Sequence, residues 1–219
     1  MGYVMANGQF DAAALAKWVA EFARIIIANK DMLSELDSSV GDADHGANME
    51  RGMIAVFALL QSDESLGKPT DVLKGVGTTI VSKVGGSSGA LYGTIFLRMA
   101  RSAGSAEVLD GLGFAKALRA GLEGVVDRGK VKAGDKTMFD ALSPAVEALD
   151  RALGKGATFK EAIQLALAAA KAGRDATVGM AARKGKSSYL GEKSVGSQDP
   201  GATSVTMLIA AAAATLGHG

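Results

Sequence analysis

Apolar residues recur at helical spacing along nearly the whole chain, and nowhere does the strict alternation of a half-buried strand hold for long. After Asp11, placed to cap an N-terminus, Leu15, Trp18, Val19, Phe22, Ile25 and Ile26 share one broad face. This first helix is expected to run on into a turn at Asp37. A second, from Ala47 to Leu60, turns Met49, Met53, Val56, Phe57 and Leu60 inward. Pro69 opens a third, Thr70 to Val84, as proline does in a first helical turn. The pattern then gives helices over 90–103, 114–127, 137–153, 158–182 and 202–216, the sixth kinked or restarted at Pro144. Eight helices and no convincing strand predict an all-α domain.

Alanine is abundant and aromatics are only 5% of the chain, so helices can approach closely, which favours a compact antiparallel bundle. Glycine collects at alternate connections, after the first, third, fifth and seventh helices. In an up-and-down bundle those four loops lie at one end, and the functional surface is expected there. No repeat, low-complexity tract or linker divides the chain. It reads as one domain over residues 1–219, with 1–10 a loosely ordered extension.

Composition narrows the chemistry. The 219 residues suffice for a sizeable core. A formal net charge of +1 gives no footing for a nucleic-acid or membrane surface. With no cysteine there are no disulfides, thiolate metal sites or cysteine nucleophiles, which fits a reducing cytoplasm. The apolar run Met207 to Leu216 is too short for a bilayer, and residues 1–7 lack the regions of a signal peptide. A soluble cytoplasmic protein is expected.

One stretch concentrates charge. Asp37, Asp42 and Asp44 fall within eight residues, and a helix would spread them around its circumference. They converge only if the chain turns, for which Gly41 and Gly46 allow tight or left-handed conformations. Carboxylate oxygens suit magnesium or calcium, and magnesium completes its shell with water and phosphate oxygens. Behind them, the amides of Gly46, Ala47 and Asn48 would open a helix, whose N-terminus favours anions. An EF-hand fails, because Gly46 stands where an oxygen ligand is needed and Met53 where the loop requires glutamate. Two readings stay open: a metal-bridged phosphate site, or an acidic turn in which Asp37 ends one helix and Asp44 caps the next.

The other glycine-rich loops are weaker singly. The amides and hydroxyls of Gly85-Gly86-Ser87-Ser88-Gly89 could face a phosphate, or form a plain turn. The stretch from Gly129 to Thr137 nearly matches a P-loop, but Asp135 intrudes before Lys136 and no strand precedes it. Arg183, Lys184 and Lys186 could balance phosphate charge or form a solvated helix end, and Asp199-Pro200-Gly201 could be helix-start chemistry alone. His45 is as well placed to position a ligand as to carry a proton.

Taken together, the blocks Val40-Gly41-Asp42-Ala43-Asp44-His45-Gly46, Val84 to Gly89, Arg128-Gly129-Lys130 with Gly134 to Met138, Ala182 to Gly185 with Ser188 to Glu192, and Gln198 to Ser204 closely resemble the nucleotide-binding L subunit of dihydroxyacetone kinase. The resemblance runs in order over essentially the whole chain after Asp11. It implies an eight-helix antiparallel barrel with ADP or ATP at one end, and two magnesium ions on Asp37, Asp42 and Asp44. It further implies that His45, Gly46, Ala47, Asn48, Ser87 and Ser88 surround the phosphates. Gly129 and Met138 would flank the adenine, and Lys186 with Asp199, Pro200 and Gly201 would complete the pocket. Lys186 stands where arginine is expected and cannot give a bidentate contact, and with Arg183 it is the candidate for a catalytic charge. The implied partners are a K subunit that holds dihydroxyacetone and a phosphohistidine-carrying M subunit that rephosphorylates ADP in place. Exchangeable ATP, another small ketose or polyol, and a signalling role toward a transcriptional regulator are the alternatives, beside a calcium-stabilised bundle with no nucleotide.

Overall fold

The computed structural model describes residues 8–39, 41–62 and 66–217. Asp11 starts the helical part of the chain, its Oδ1 accepting the Ala14 amide at 2.8 Å, and α1 follows over Ala12–Ala28. The helix expected to continue to Asp37 breaks at Asn29. There the side-chain amide donates to the Ile25 carbonyl at 2.8 Å, the kind of local competition with the helical ladder that suits asparagine to helix ends. The chain restarts as α2, Lys30–Ser38, which carries Asp37 in its last turn. Among the described residues there are therefore nine α-helices, one more than the apolar pattern gives.

The others are α3 (His45–Ser62), α4 (Pro69–Lys83), α5 (Gly86–Ala103), α6 (Gly111–Gly129), α7 (Phe139–Gly154), α8 (Phe159–Ala176) and α9 (Pro200–Thr215). Two differences from expectation matter for the site. α5 begins at Gly86 rather than Ala90, so Ser87 and Ser88 lie in its first turn. α8 stops at Ala176 and gives way to a 3-10 turn, because the buried Thr177 hydroxyl bends back onto the Arg174 carbonyl at 2.5 Å. Pro144 sits inside α7 without interrupting it. The carbonyl it deprives of a helical donor, that of Asp140, lies against Gly173 of α8, where any Cβ would collide with it.

Each of α3 to α8 packs on its successor, α9 packs on α1, and α1 on α3, so the helix contacts run round a closed circuit. α2 lies on α3 and α9. α9 is buried on almost every side, from Ala202 to Ala213, as its unbroken small and apolar sequence requires. Phe10, Trp18, Phe96, Phe114 and Phe159 meet edge-on or tilted in one aromatic cluster. Phe10 belongs to a two-residue strand β1 (Gln9–Phe10) paired antiparallel with β2 (Leu109–Asp110). The last residues of the expected loose extension are thus anchored in the core; residues 1–7, and Val40 of the acidic loop, lie outside the described residues. Among the described residues, no helix is long and apolar enough to cross a membrane.

Candidate functional site

The α2–α3, α4–α5, α6–α7 and α8–α9 connections all line one cavity of about 330 Å³. These are the alternate connections in which glycine collects, and they meet at one end of the helices.

The acidic loop is folded by contacts different from those the glycines imply. The left-handed residue is Ala43, with φ of 63°, a conformation that costs a non-glycine residue about 1 kcal/mol or more. Gly41 and Gly46 instead permit close approach. A Cβ on Gly41 would strike the Asp37 carboxylate, and one on Gly46 would strike the Lys30 carbonyl and the Ser34 hydroxyl. Asp37 is buried, and its Oδ2 accepts the amides of Asp44 and His45 at 2.9 and 3.1 Å. It therefore caps α3 from seven residues away and leaves Oδ1 free of those bonds. Asp42 and Asp44 are half-exposed, and an oxygen of each comes within 4.8 Å of an oxygen of Asp37 and of the other.

The donor set fits a hard divalent cation, three carboxylates with one of them oriented by backbone amides. A cation already stands among them: the Lys186 ammonium is hydrogen-bonded to Asp42 and lies 3.3 Å from Asp44. That hydrogen bond holds the Asp42 carboxyl below its usual range and raises the Lys186 ammonium above its own.

Facing the acidic loop, Ser87 and Ser88 present the first turn of α5 to the cavity, a setting that favours an anion. His45 opens α3 and is 6% exposed. Its Nδ1 lies 3.0 Å from the Ser88 hydroxyl and its Nε2 3.0 Å from that of Ser204 on α9. Tyr92, one turn beyond Ser88, donates to the same Ser204 oxygen at 2.8 Å. Burial lowers the His45 pKa, against Asp37 and Asp44, and raises that of Tyr92, in each case favouring the neutral form.

The lysine of the near-P-loop does not reach out like a phosphate lysine. Lys136 is buried, with φ of 60°, and donates to the carbonyls of Met180, Ser194 and Ser197 at 3.1, 2.5 and 2.7 Å. Burial lowers its pKa, opposed by Asp199. Asp140 accepts the Gly134 and Thr137 amides at 2.6 and 2.8 Å and sets the loop before α7. Asp199 caps α9, its Oδ2 accepting the Ala202 amide at 2.7 Å, while its own amide donates to Thr177 at 3.0 Å. Burial pushes the Asp199 carboxyl up to about 7, partly offset by the Ala202 amide.

Of the residues singled out from the sequence, Asp37, Asp42, Asp44, His45, Ser87, Ser88, Gly129, Met138, Lys186, Asp199, Pro200 and Gly201 line the cavity. Gly46, Ala47 and Asn48 do not. Gly46 packs α3 on α2, Ala47 is exposed, and Asn48 accepts from Arg51 at 2.6 Å. Arg183 is exposed and outside the lining; its amide donates to the Asp135 carbonyl at 3.0 Å, and Arg128 and Lys184 line the cavity in its stead. The apolar wall of Leu91, Val125 and Val131 beside Met138 was not legible as such, nor was Tyr92, nor the Ser204 hydroxyl that joins His45 to Tyr92 behind the lining. Tyr92 did carry a signal, since four residues after Ser88 it falls on the same face of α5.

The DAK2 domain family model matches residues 39–214. The chain is 41% identical over 199 residues to the "PEP-dependent dihydroxyacetone kinase 1, ADP-binding subunit DhaL" of Listeria innocua, covering 91% of this chain and 94% of that one. It is 39% identical over 197 residues to the "PEP-dependent dihydroxyacetone kinase, ADP-binding subunit DhaL" of Escherichia coli, covering 89% and 92%. A solved structure, the dihydroxyacetone kinase from C. freundii in complex with AMP-PNP and Mg2+, superposes with a TM-score of 0.70 at 27% identity. The superposition covers 98% of this chain and 36% of that longer one.

Proposed function

The chain belongs to the DAK2-domain family, and we propose that it is the ADP-binding L subunit of a dihydroxyacetone kinase. It transfers a phosphoryl group from a magnesium-bound nucleotide to dihydroxyacetone held on a separate K subunit. A phosphohistidine on an M subunit restores the bound ADP. The observation that carries the reading is a cavity with two unlike walls: converging Asp37, Asp42 and Asp44 opposite the Ser87–Ser88 turn, and the apolar Leu91, Val125, Val131 and Met138 beside Gly129. A nucleotide needs both, an apolar slot for its base and a cation-ready polar wall for its phosphates.

Asp37, Asp42 and Asp44 would hold two magnesium ions, in the place where Lys186 now neutralises Asp42 and Asp44. When bound, magnesium neutralises and polarises the phosphoryl oxygens. The chain's own groups do the positioning. Asp37 fixes the start of α3 through two amides, which sets the direction of Asp44 and His45. Ser87, Ser88 and the α5 amides receive phosphate oxygens. Lys186, freed from the carboxylates, and Lys184 stabilise charge that develops on the leaving and transferring groups, the main source of rate in phosphoryl transfer. Asp42 and Asp44 are half-exposed, so the reacting end of the cavity is open to an acceptor brought by another subunit. The AMP-PNP complex of the C. freundii kinase favours a second reading, exchangeable ATP as donor.

The test is titration calorimetry of ADP with and without magnesium on the wild type and Asp42→Ala. Magnesium-dependent binding in the wild type, lost in a variant of unchanged far-ultraviolet circular dichroism, is expected. Equal ADP affinity in both proteins would sink the assignment.

A further inference from the structure

Ser204 lies at the centre of a buried polar cluster and has one hydrogen to give. It is fully buried, accepts from Tyr92 at 2.8 Å, and lies 3.0 Å from His45 Nε2 and 3.1 Å from the Gly201 carbonyl. The hydrogen can go to Gly201 or to His45, and the choice decides the rest. If Ser204 donates to Gly201, its oxygen accepts His45 Nε2–H, and His45 Nδ1 accepts the hydrogen of Ser88. All four hydrogens are then used inside the protein, and Ser88 turns lone pairs toward the cavity. If Ser204 donates to His45 Nε2, the imidazole carries its hydrogen on Nδ1 and gives it to the Ser88 oxygen. Ser88 then has its own hydrogen to offer the cavity.

A phosphate oxygen only accepts. We propose that Tyr92, Ser204, His45 and Ser88 form a hydrogen-bond relay whose direction reverses when a phosphate oxygen reaches Ser88, with Tyr92 as the residue that supports the reversed state. This rests on the nucleotide reading of the cavity. No proton is gained or lost overall: the Nε2–H bond of His45 breaks and an Nδ1–H bond forms, both by exchange with water when the cluster opens, so that one neutral tautomer replaces the other. Tyr92 matters unequally to the two states. In the resting direction the Ser204 oxygen accepts from both Tyr92 and His45, whereas in the reversed direction Tyr92 is the donor that remains to it. Tyr92 O–H, Ser204 O–H and His45 then point head to tail, so each bond polarises the next. Removing the tyrosine hydroxyl therefore penalises the phosphate-ready state more than the resting one.

The chain has two histidines, His45 and His218, so imidazole nitrogen-15 spectra are simple, and His218→Gln assigns the signals. Spectra are recorded on the full chain, free and with saturating ADP and magnesium. The free protein is expected to show His45 with its hydrogen on Nε2, and the complex with it on Nδ1. Tyr92→Phe should retain the resting tautomer over much of the titration and bind ADP roughly five- to ten-fold more weakly, the loss of about one hydrogen bond. A merely structural Tyr92 would lower stability without moving the tautomer. Bound ADP with His45 in one form throughout, or Tyr92→Phe converting and binding as the wild type does, overturns the relay and leaves the nucleotide reading standing. No ADP binding at any concentration overturns that reading and the relay with it.

Discussion

Replacing Lys136 with methionine tests whether the near-P-loop lysine holds the protein or the phosphate. Methionine keeps much of the volume and removes the ammonium, which donates to the carbonyls of Met180, Ser194 and Ser197. A hydrogen bond to a charged group is worth about 1.5–3 kcal/mol net, and a buried acceptor left alone costs about 1–3 kcal/mol. The three bonds share one donor group, and the variant is relieved of a buried charge, so the sum does not apply. A net loss of about 3 kcal/mol is expected. With a urea m value of about 3 kcal/mol/M for a chain of this size, the midpoint falls by about 1 M. Because those carbonyls belong to the α8–α9 connection and Lys136 to the α6–α7 loop, ADP affinity should fall only as the two loops loosen. Equilibrium urea unfolding followed by circular dichroism gives the answer. An unchanged midpoint with lost ADP affinity would mean that Lys136 serves the phosphate rather than the two loops.

Gly46→Ala should force α2 and α3 apart at the Lys30 carbonyl and Ser34, costing about 1–3 kcal/mol in thermal or urea unfolding and weakening magnesium-dependent ADP binding; wild-type values for both would show that the loop adjusts freely. Asp199 titrates near 7 in the folded chain against an ordinary 3.8, so between those values the folded state holds the extra proton. Its contribution to stability therefore declines as pH rises from about 4 to 7, by up to about 4 kcal/mol, and Asp199→Asn should lack that part of the slope. Parallel unfolding profiles for the two proteins from pH 4 to 8 would show that Asp199 is not held up by burial.

The helices were legible because each buries a regular apolar face, and the cavity's place because glycine marks the same four connections. What misled were local competitions that periodicity does not carry. Asn29 breaks a continuous apolar pattern with one side-chain hydrogen bond, Thr177 ends α8 early, and Pro144 is tolerated because its orphaned carbonyl meets a glycine on the next helix. At the site, the three carboxylates could be read from spacing alone. The reason for the glycines could not, since Gly41 and Gly46 answer to collisions with Asp37 and α2 rather than to their own torsions. The part Lys136 plays was hidden for a similar cause. Its partners are backbone carbonyls 44 to 61 residues away, and carbonyls have no signature in a sequence.

Whether the four-loop cavity holds a nucleotide through magnesium is decided by native mass spectrometry of the purified chain before and after chelation. A bound mass matching ADP with magnesium is expected, lost with the chelator and restored by adding ADP and magnesium together. A bare mass under all three conditions would contradict it.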